Sequence, residues 1–290
     1  MPLTIVAVIL RILSNPLANV FQKQLTNKNN HPLIVNFLTF FILSLVCLIP
    51  VLQINWNELP LIFWFYCIIA GIFGATGNGF LVKALQGGDL SVLGPINSYK
   101  SVVGVIFGIF LLGEIPNLWG IVGIILIIGG SYFVLDTTKE QFSIALLRRK
   151  DIQYRIWAMI LTAIEAIFIK KIILYSTTTI SFIMWCWFGA LFSFILLFIF
   201  QIKLKYEFSK IKGTCIPKYT YLVICIGIMQ YTTNYVFDHM NVGYALALFQ
   251  LSTIVSIILG YHIFKEKDIR KKILGAAIMI GGSLLIILIK

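Results

Sequence analysis

Ten long apolar runs, separated by short polar or Pro/Gly punctuation, fill the chain: residues 3–25, 32–53, 61–85, 90–113, 116–136, 152–174, 179–203, 219–241, 243–265 and 269–290. A membrane-crossing helix needs about 20 apolar residues to match a hydrocarbon core about 30 Å thick. Every run is that long. None alternates strictly between apolar and polar positions as a β-barrel strand does. A backbone in lipid must also satisfy its own hydrogen bonds, so the pattern predicts helices. The longest polar connections are 137–151 and 203–218, the first of them close to the middle of the chain.

Composition narrows the class. Of 290 residues, 59% are hydrophobic and 12% charged, and the mean hydropathy is +0.95. Ordinary soluble domains carry about 25% charged residues. A water-soluble globule is excluded, and secreted, fibrous and disordered readings go with it. The net charge of +12 does not point to nucleic acid. The basic residues sit in short connections, where they orient helices and meet anionic headgroups. Cys47, Cys67, Cys186 and Cys225 fall inside apolar runs and Cys215 in a connection. They form no CxxC and have no histidine at metal spacing, so they read as small core hydrophobes, with no metal and no cofactor expected. The N-terminus lacks a basic leader region, and Arg11 interrupts the first run, which therefore reads as a retained span.

A repeat lies beneath the pattern. A shift of 152 residues lays Gly108-Ile-Phe-Leu-Leu-Gly-Glu114 over Gly260-Tyr-His-Ile-Phe-Lys-Glu266. The same shift matches Ile121, Gly123, Ile128, Gly129, Gly130 and Ser131 to Ile273, Gly275, Ile280, Gly281, Gly282 and Ser283. Weaker matches pair Phe21 and Lys23 with Phe168 and Lys170, and Asn78 with Asn234. The expected fold is an all-α membrane protein of ten transmembrane helices. Residues 1–136 form one five-helix repeat, 137–151 connect, and 152–290 form the second. An odd number of spans per repeat inverts the second relative to the first. That is the plan of many secondary transporters, whose substrate site lies near the midplane between the halves.

The stretches Gly88-Asp-Leu-Ser-Val-Leu-Gly-Pro95, Ser101 through Leu112-Gly-Glu114, and Gly120-Ile-Val-Gly-Ile-Ile-Leu-Ile-Ile-Gly-Gly130 resemble the fourth and fifth helices of EamA-type members of the drug/metabolite transporter superfamily. The echo from Gly243 to Ser283 resembles helices nine and ten. The resemblance covers essentially the whole chain. It implies a permease or exporter that moves small metabolites, amino acids, drugs or sugar conjugates through a central cavity without ATP hydrolysis. The expected location is the bacterial plasma (inner) membrane. The chain departs from the pattern at Ser101 and Thr253, where many relatives carry Pro.

Charges inside spans are the informative exceptions, since each costs at least about 2.5–3.5 kcal/mol at a helix centre. Lys100 lies ten residues into the fourth run, too deep for its stem to snorkel to water. It is expected to face a protein or water-filled interior, either paired with a carboxylate or offered to an anionic group of the substrate. Asn97, one turn earlier, and the adjacent Tyr99 extend the same polar patch, although Tyr99 points elsewhere on the helix. Glu165 is the acidic residue near the middle of a span, a candidate for proton coupling or for a salt bridge to Lys100 or Arg11. In the first run, Arg11, Asn15, Asn19 and Gln22 recur at spacings of three and four and share a face. Pro16 is expected to bend that helix. Asn78, Gln230 and Asn234 add amides in the third and eighth runs. For each amide, an interhelical hydrogen bond competes with substrate contact. Glu114 and Glu266 are expected to hold loop geometry.

The expected partners are thus a small-molecule substrate, the lipid bilayer and protons as coupling ion, with no nucleic acid. The expected function is alternating-access transport of a small polar or amphipathic metabolite, with runs one, three, four, six, eight and nine lining the cavity. A broad-specificity drug exporter is one alternative. A non-transporting membrane enzyme or an assembly protein is another, but His31, His239 and His262 are scattered near run ends. The chain has no HExxH, GxSxG or Walker-type loop, so no enzyme is expected. Orientation is open. Of the Lys and Arg residues, 18 fall in odd-numbered connections and their flanks and three on the other side. The positive-inside rule then places both termini outside the cytoplasm, whereas the resemblance implies the opposite.

Overall fold

The computed structural model describes residues 2–28, 30–52, 54, 56–100, 102–103, 117–138, 144–240 and 242–288. Ser101, Gly104, Gly108 and Glu114 of the sequence motifs lie outside the described residues. Among the described residues the fold is helical, with no strand. The long elements are α1 (Pro2–Thr26), α2 (Pro32–Val46), α3 (Leu61–Gly87), α4 (Leu90–Ile96), α5 (Leu118–Leu135) and α6 (Lys150–Leu174). They continue as α7 (Thr178–Ile199), α8 (Ile216–His239), α9 (Val242–Phe249), α10 (Ser252–Phe264) and α11 (Ile269–Leu288). Four of these, α1, α3, α5 and α7, are long and apolar enough to cross a membrane by length and composition alone.

Local chemistry sets several of the ends. His31 caps α2 by accepting from Leu33 N with Pro32 in the first turn, Asn117 caps α5 through Gly120 N, and Thr177 caps α7 through Ile180 N. Each supplies an acceptor for one of the orphan N–H groups of a helix start. At the far end of α10, Lys265 takes a left-handed φ of 58°, which terminates the helix. Helix α1 runs through Pro16 without interruption.

Two runs that the sequence presents as continuous are broken. The fourth stops at Ile96 and tightens into a 3₁₀ turn over Asn97–Tyr99. The ninth divides between Phe249 and Ser252. These breaks are related by the repeat shift of 152. The causes are local. Pro95 removes a backbone donor in α4, and in the ninth run the Ser252 hydroxyl donates to Phe249 O at 2.6 Å, competing with the helical ladder.

Packing follows a two-fold plan. The extensive helix pairs are α3 with α6, α5 with α11, α1 with α8, α3 with α7, α2 with α7 and α4 with α10. Exchanging each helix for its repeat counterpart maps α3–α6 onto α1–α8 and returns α2–α7, α4–α10 and α5–α11 to themselves, while the image of α3–α7, α2 with α8, is a slighter contact. The same exchange holds at atomic level. A Cβ on Gly130 would lie 2.7 Å from Gly275 O, and one on Gly282 would lie 2.6 Å from Gly123 O. The repeat shift converts one contact into the other. Small residues at these positions let the backbones of α5 and α11 touch, the usual means of association where lipid removes the hydrophobic drive.

Candidate functional site

A cavity of about 100 Å³ lies between the halves. Its wall comes from α1, α3, the break after α4, α6, α8 and α9. Helix α1 contributes Arg11, Asn15 and Asn19, α3 contributes Asn78, and the α4 break contributes Asn97 and Lys100. From the second half come Arg155, Thr162 and Glu165 on α6, Gln230 and Thr233 on α8, and Leu246 and Phe249 on α9. Of the residues singled out in the sequence, Lys100, Asn97, Asn15, Asn19, Asn78, Glu165 and Gln230 therefore share one cavity. Three do not line it. Tyr99, adjacent to Lys100, turns away from the cavity, and its hydroxyl meets Ser131 Oγ at 2.7 Å. Asn234 is fully buried, with its amide against Gln230 at 2.9 Å and Ser181 at 3.3 Å. Gln22 is buried beyond the cavity end of α1.

Glu165 accepts a hydrogen bond of 2.7 Å from Trp185 Nε1 on α7. Among the described residues it forms no ion pair with Lys100 or Arg11, so the expected salt bridge is replaced by an indole donor. Its carboxylate packs directly over Gly74 of α3, where a Cβ would collide with it. The close α3–α6 approach is thus what admits a carboxylate here. Arg11 donates through Nε to Thr233 Oγ1 at 2.8 Å and lies over the Phe249 ring, 4.8 Å from its centroid. Its Nη1 is buried without a partner.

Arg155 corrects the sequence reading. The charge count places it in a connection flank, but it is 7% exposed and lines the cavity, with Nε donating to Leu93 O at 2.7 Å. Helix α6 begins at Lys150 and packs beside the short α4, which draws Arg155 inward. A periodic signal marks it: Arg155, Ala158, Thr162, Glu165 and Ile169 recur at spacings of three and four, and all reach the wall. Lys23 and Lys272, also counted as flank charges, are buried as well.

Away from the cavity, Glu266 joins the halves. Its carboxylate accepts from Leu90 N and Ser91 N, both at 2.8 Å, and from Lys23 Nζ at 3.1 Å. It caps α4 from the other half. Burial alone would raise the Glu266 pKa, but the Lys23 charge and the hydrogen bonds from Ser91 and Leu90 override that and hold it below its usual 4.5. Lys23 also reaches Gly88 O at the end of α3, and its repeat partner Lys170 reaches Phe237 O near the end of α8. Both lysines satisfy C-terminal carbonyls.

A family model described as the EamA-like transporter family matches residues 3–136 and 152–288. The chain belongs to that family. EamA members are transporters, so this is a multi-pass membrane protein of the drug/metabolite transporter superfamily. No curated protein matches it. A solved structure described only as "Crystal structure of protein" is similar at 16% identity, with 98% of this chain and 96% of that chain covered and a TM-score of 0.64. At that identity the likeness shows the fold alone.

Proposed function

We propose that the chain is a ten-span secondary carrier, two inverted five-helix repeats built from 1–136 and 152–290, that moves a small polar metabolite by alternating access. Lys100 holds an anionic group of the substrate, and Asn15, Asn19, Asn78, Asn97 and Gln230 offer it hydrogen bonds. Glu165 couples transport to protons, since a carboxylate in the wall of a water-filled membrane cavity can take up a proton on one side and release it on the other. The reading is carried by one observation: Lys100 and Glu165 sit in the same cavity, whose wall draws on elements of both halves. The bacterial plasma membrane is the proposed setting.

Reconstituted protein tests this. In vesicles under an imposed pH gradient, Lys100→Met should lower solute uptake about 10- to 100-fold, the scale of one charge-assisted contact. Glu165→Gln should abolish the response to the pH gradient while solute exchange at equal pH persists. Full transport with unchanged pH dependence in both variants would overturn these roles. Chemical conversion of the solute without accumulation would point to an enzyme instead.

A further inference from the structure

We infer that the cavity is built for a small organic dianion, with Arg155 and Arg11 contacting its charge beside Lys100; this deepens, and rests on, the carrier reading. Three cationic side chains, Arg11, Lys100 and Arg155, and one carboxylate, Glu165, line the cavity. Among the described residues of the wall, two positive charges are left without a counter-charge. A proton passing from Lys100 to Glu165 leaves that balance unchanged. Uncompensated charge at membrane depth is costly, so the complementary occupant brings two negative charges. The arginines and Glu165 all lie near enough to Lys100 for their charges to act on it.

Donor geometry agrees with the charge. Arg11 commits Nε to Thr233 and keeps a buried, unpartnered Nη1. Arg155 commits Nε to Leu93 O, and no ion pair among the described residues engages either guanidinium. A guanidinium whose Nε is already anchored presents its remaining N–H groups in a fixed orientation, suited to carboxylate or phosphate oxygens. The two arginines come from α1 and α6, counterparts in the repeat, so the anion would bridge the halves. The confined volume selects a short carbon skeleton.

Matched solutes test the inference. Purified protein is titrated calorimetrically with glycerol 3-phosphate against glycerol, and with succinate against butyrate. At least one dianion should bind about tenfold or more tightly than its partner. Arg155→Gln and Arg11→Gln should each erase most of that selectivity, while Arg155→Lys, which keeps the charge, should retain part of it. Equal binding within both pairs, no binding of either dianion, or unaltered selectivity in the glutamine variants overturns the inference. Vesicle uptake of the same four solutes separates the two claims. If a monoanion or neutral solute accumulates instead, the carrier stands and the dianion falls. If a dianion binds with arginine-dependent selectivity yet never enters, the dianion site stands and the carrier falls.

Discussion

Glu165 owes its placement to two neighbours that offer nothing ionic. Trp185 Nε1 donates to it at 2.7 Å, and Gly74 leaves room for it. Trp185→Phe keeps an aromatic ring but removes the donor and part of the buried indole. Losing a hydrogen bond to a charged group should cost about 1.5–3 kcal/mol, read as reduced resistance to unfolding in detergent; an unchanged unfolding midpoint would mean the bond contributes nothing. Gly74→Ala should displace the carboxylate and impair the proton response while Gly87→Ala, with nothing within 4 Å of the added Cβ, should not. At this scale the sequence was readable where a charge stood alone in an apolar run, as Lys100 and Glu165 do. Arg155 was not, because at the fourth position of a run a positive charge looks like a membrane flank. Tyr99 was legible as pointing away from Lys100 on the helix, and only its partner, the Ser131 hydroxyl, was not.

Helix pairs carry a sharper test. Gly129 and Gly130 are neighbours in sequence and opposites in space, since a Cβ on Gly129 meets nothing within 4 Å while one on Gly130 meets backbone. The repeat partners Gly281 and Gly282 divide the same way. Gly130→Ala and Gly282→Ala should each destabilise by about 1–3 kcal/mol through overpacking. Gly129→Ala and Gly281→Ala should be neutral or mildly stabilising, as expected for helix propensity. Similar losses at all four would refute the α5–α11 contact. The Glu266 bridge adds a pH signature. Its folded pKa lies below the unfolded 4.5, so its contribution is present above that value and is lost as pH falls through the folded one. Glu266→Gln leaves the buried Lys23 with Gly88 O and only a long approach of 4.0 Å to the exposed Asp89, which should cost up to about 3–5 kcal/mol at pH 7. The gap between variant and wild type should close as pH falls through the folded pKa, below 4.5, and a constant gap would show that the ion pair is not its source. The repeat motif that pointed to these elements was legible because identical small residues recur at a fixed shift. The breaks in the fourth and ninth runs were not: Asn97-Ser98-Tyr99-Lys100 and Gln250-Leu251-Ser252-Thr253 interrupt the hydrophobicity, but a short polar patch inside a run does not by itself distinguish a broken helix from a continuous one with a polar face.

Across the molecule, the connections sort into two ends. Lys23 ties the α3–α4 junction at Gly88 to Glu266 after α10, Lys271 approaches Asp136 at 3.7 Å, and Lys28, Gln86 and Lys212 border one surface pocket. Connections 27–31, 88–89, 136–149, 200–215 and 265–268 therefore share an end. At the other, Thr178 donates to Asp238 at 3.0 Å and Lys171 lies over Tyr66, 5.0 Å from its centroid. Removing the buried Lys23, Arg155 and Lys272 from the 18 basic residues assigned to the first end leaves 15, against three, Lys170, Lys171 and Lys290, at the second. A bias of that size survives the correction and acts in short connections, where positive charge governs insertion. The basic end should face the cytoplasm, leaving the C-terminus on the opposite side. A reporter that is active only in the cytoplasm, fused after Lys290, should stay silent, while the same reporter inserted in the 203–212 connection should be active. The reverse pattern would show that charge does not set this orientation.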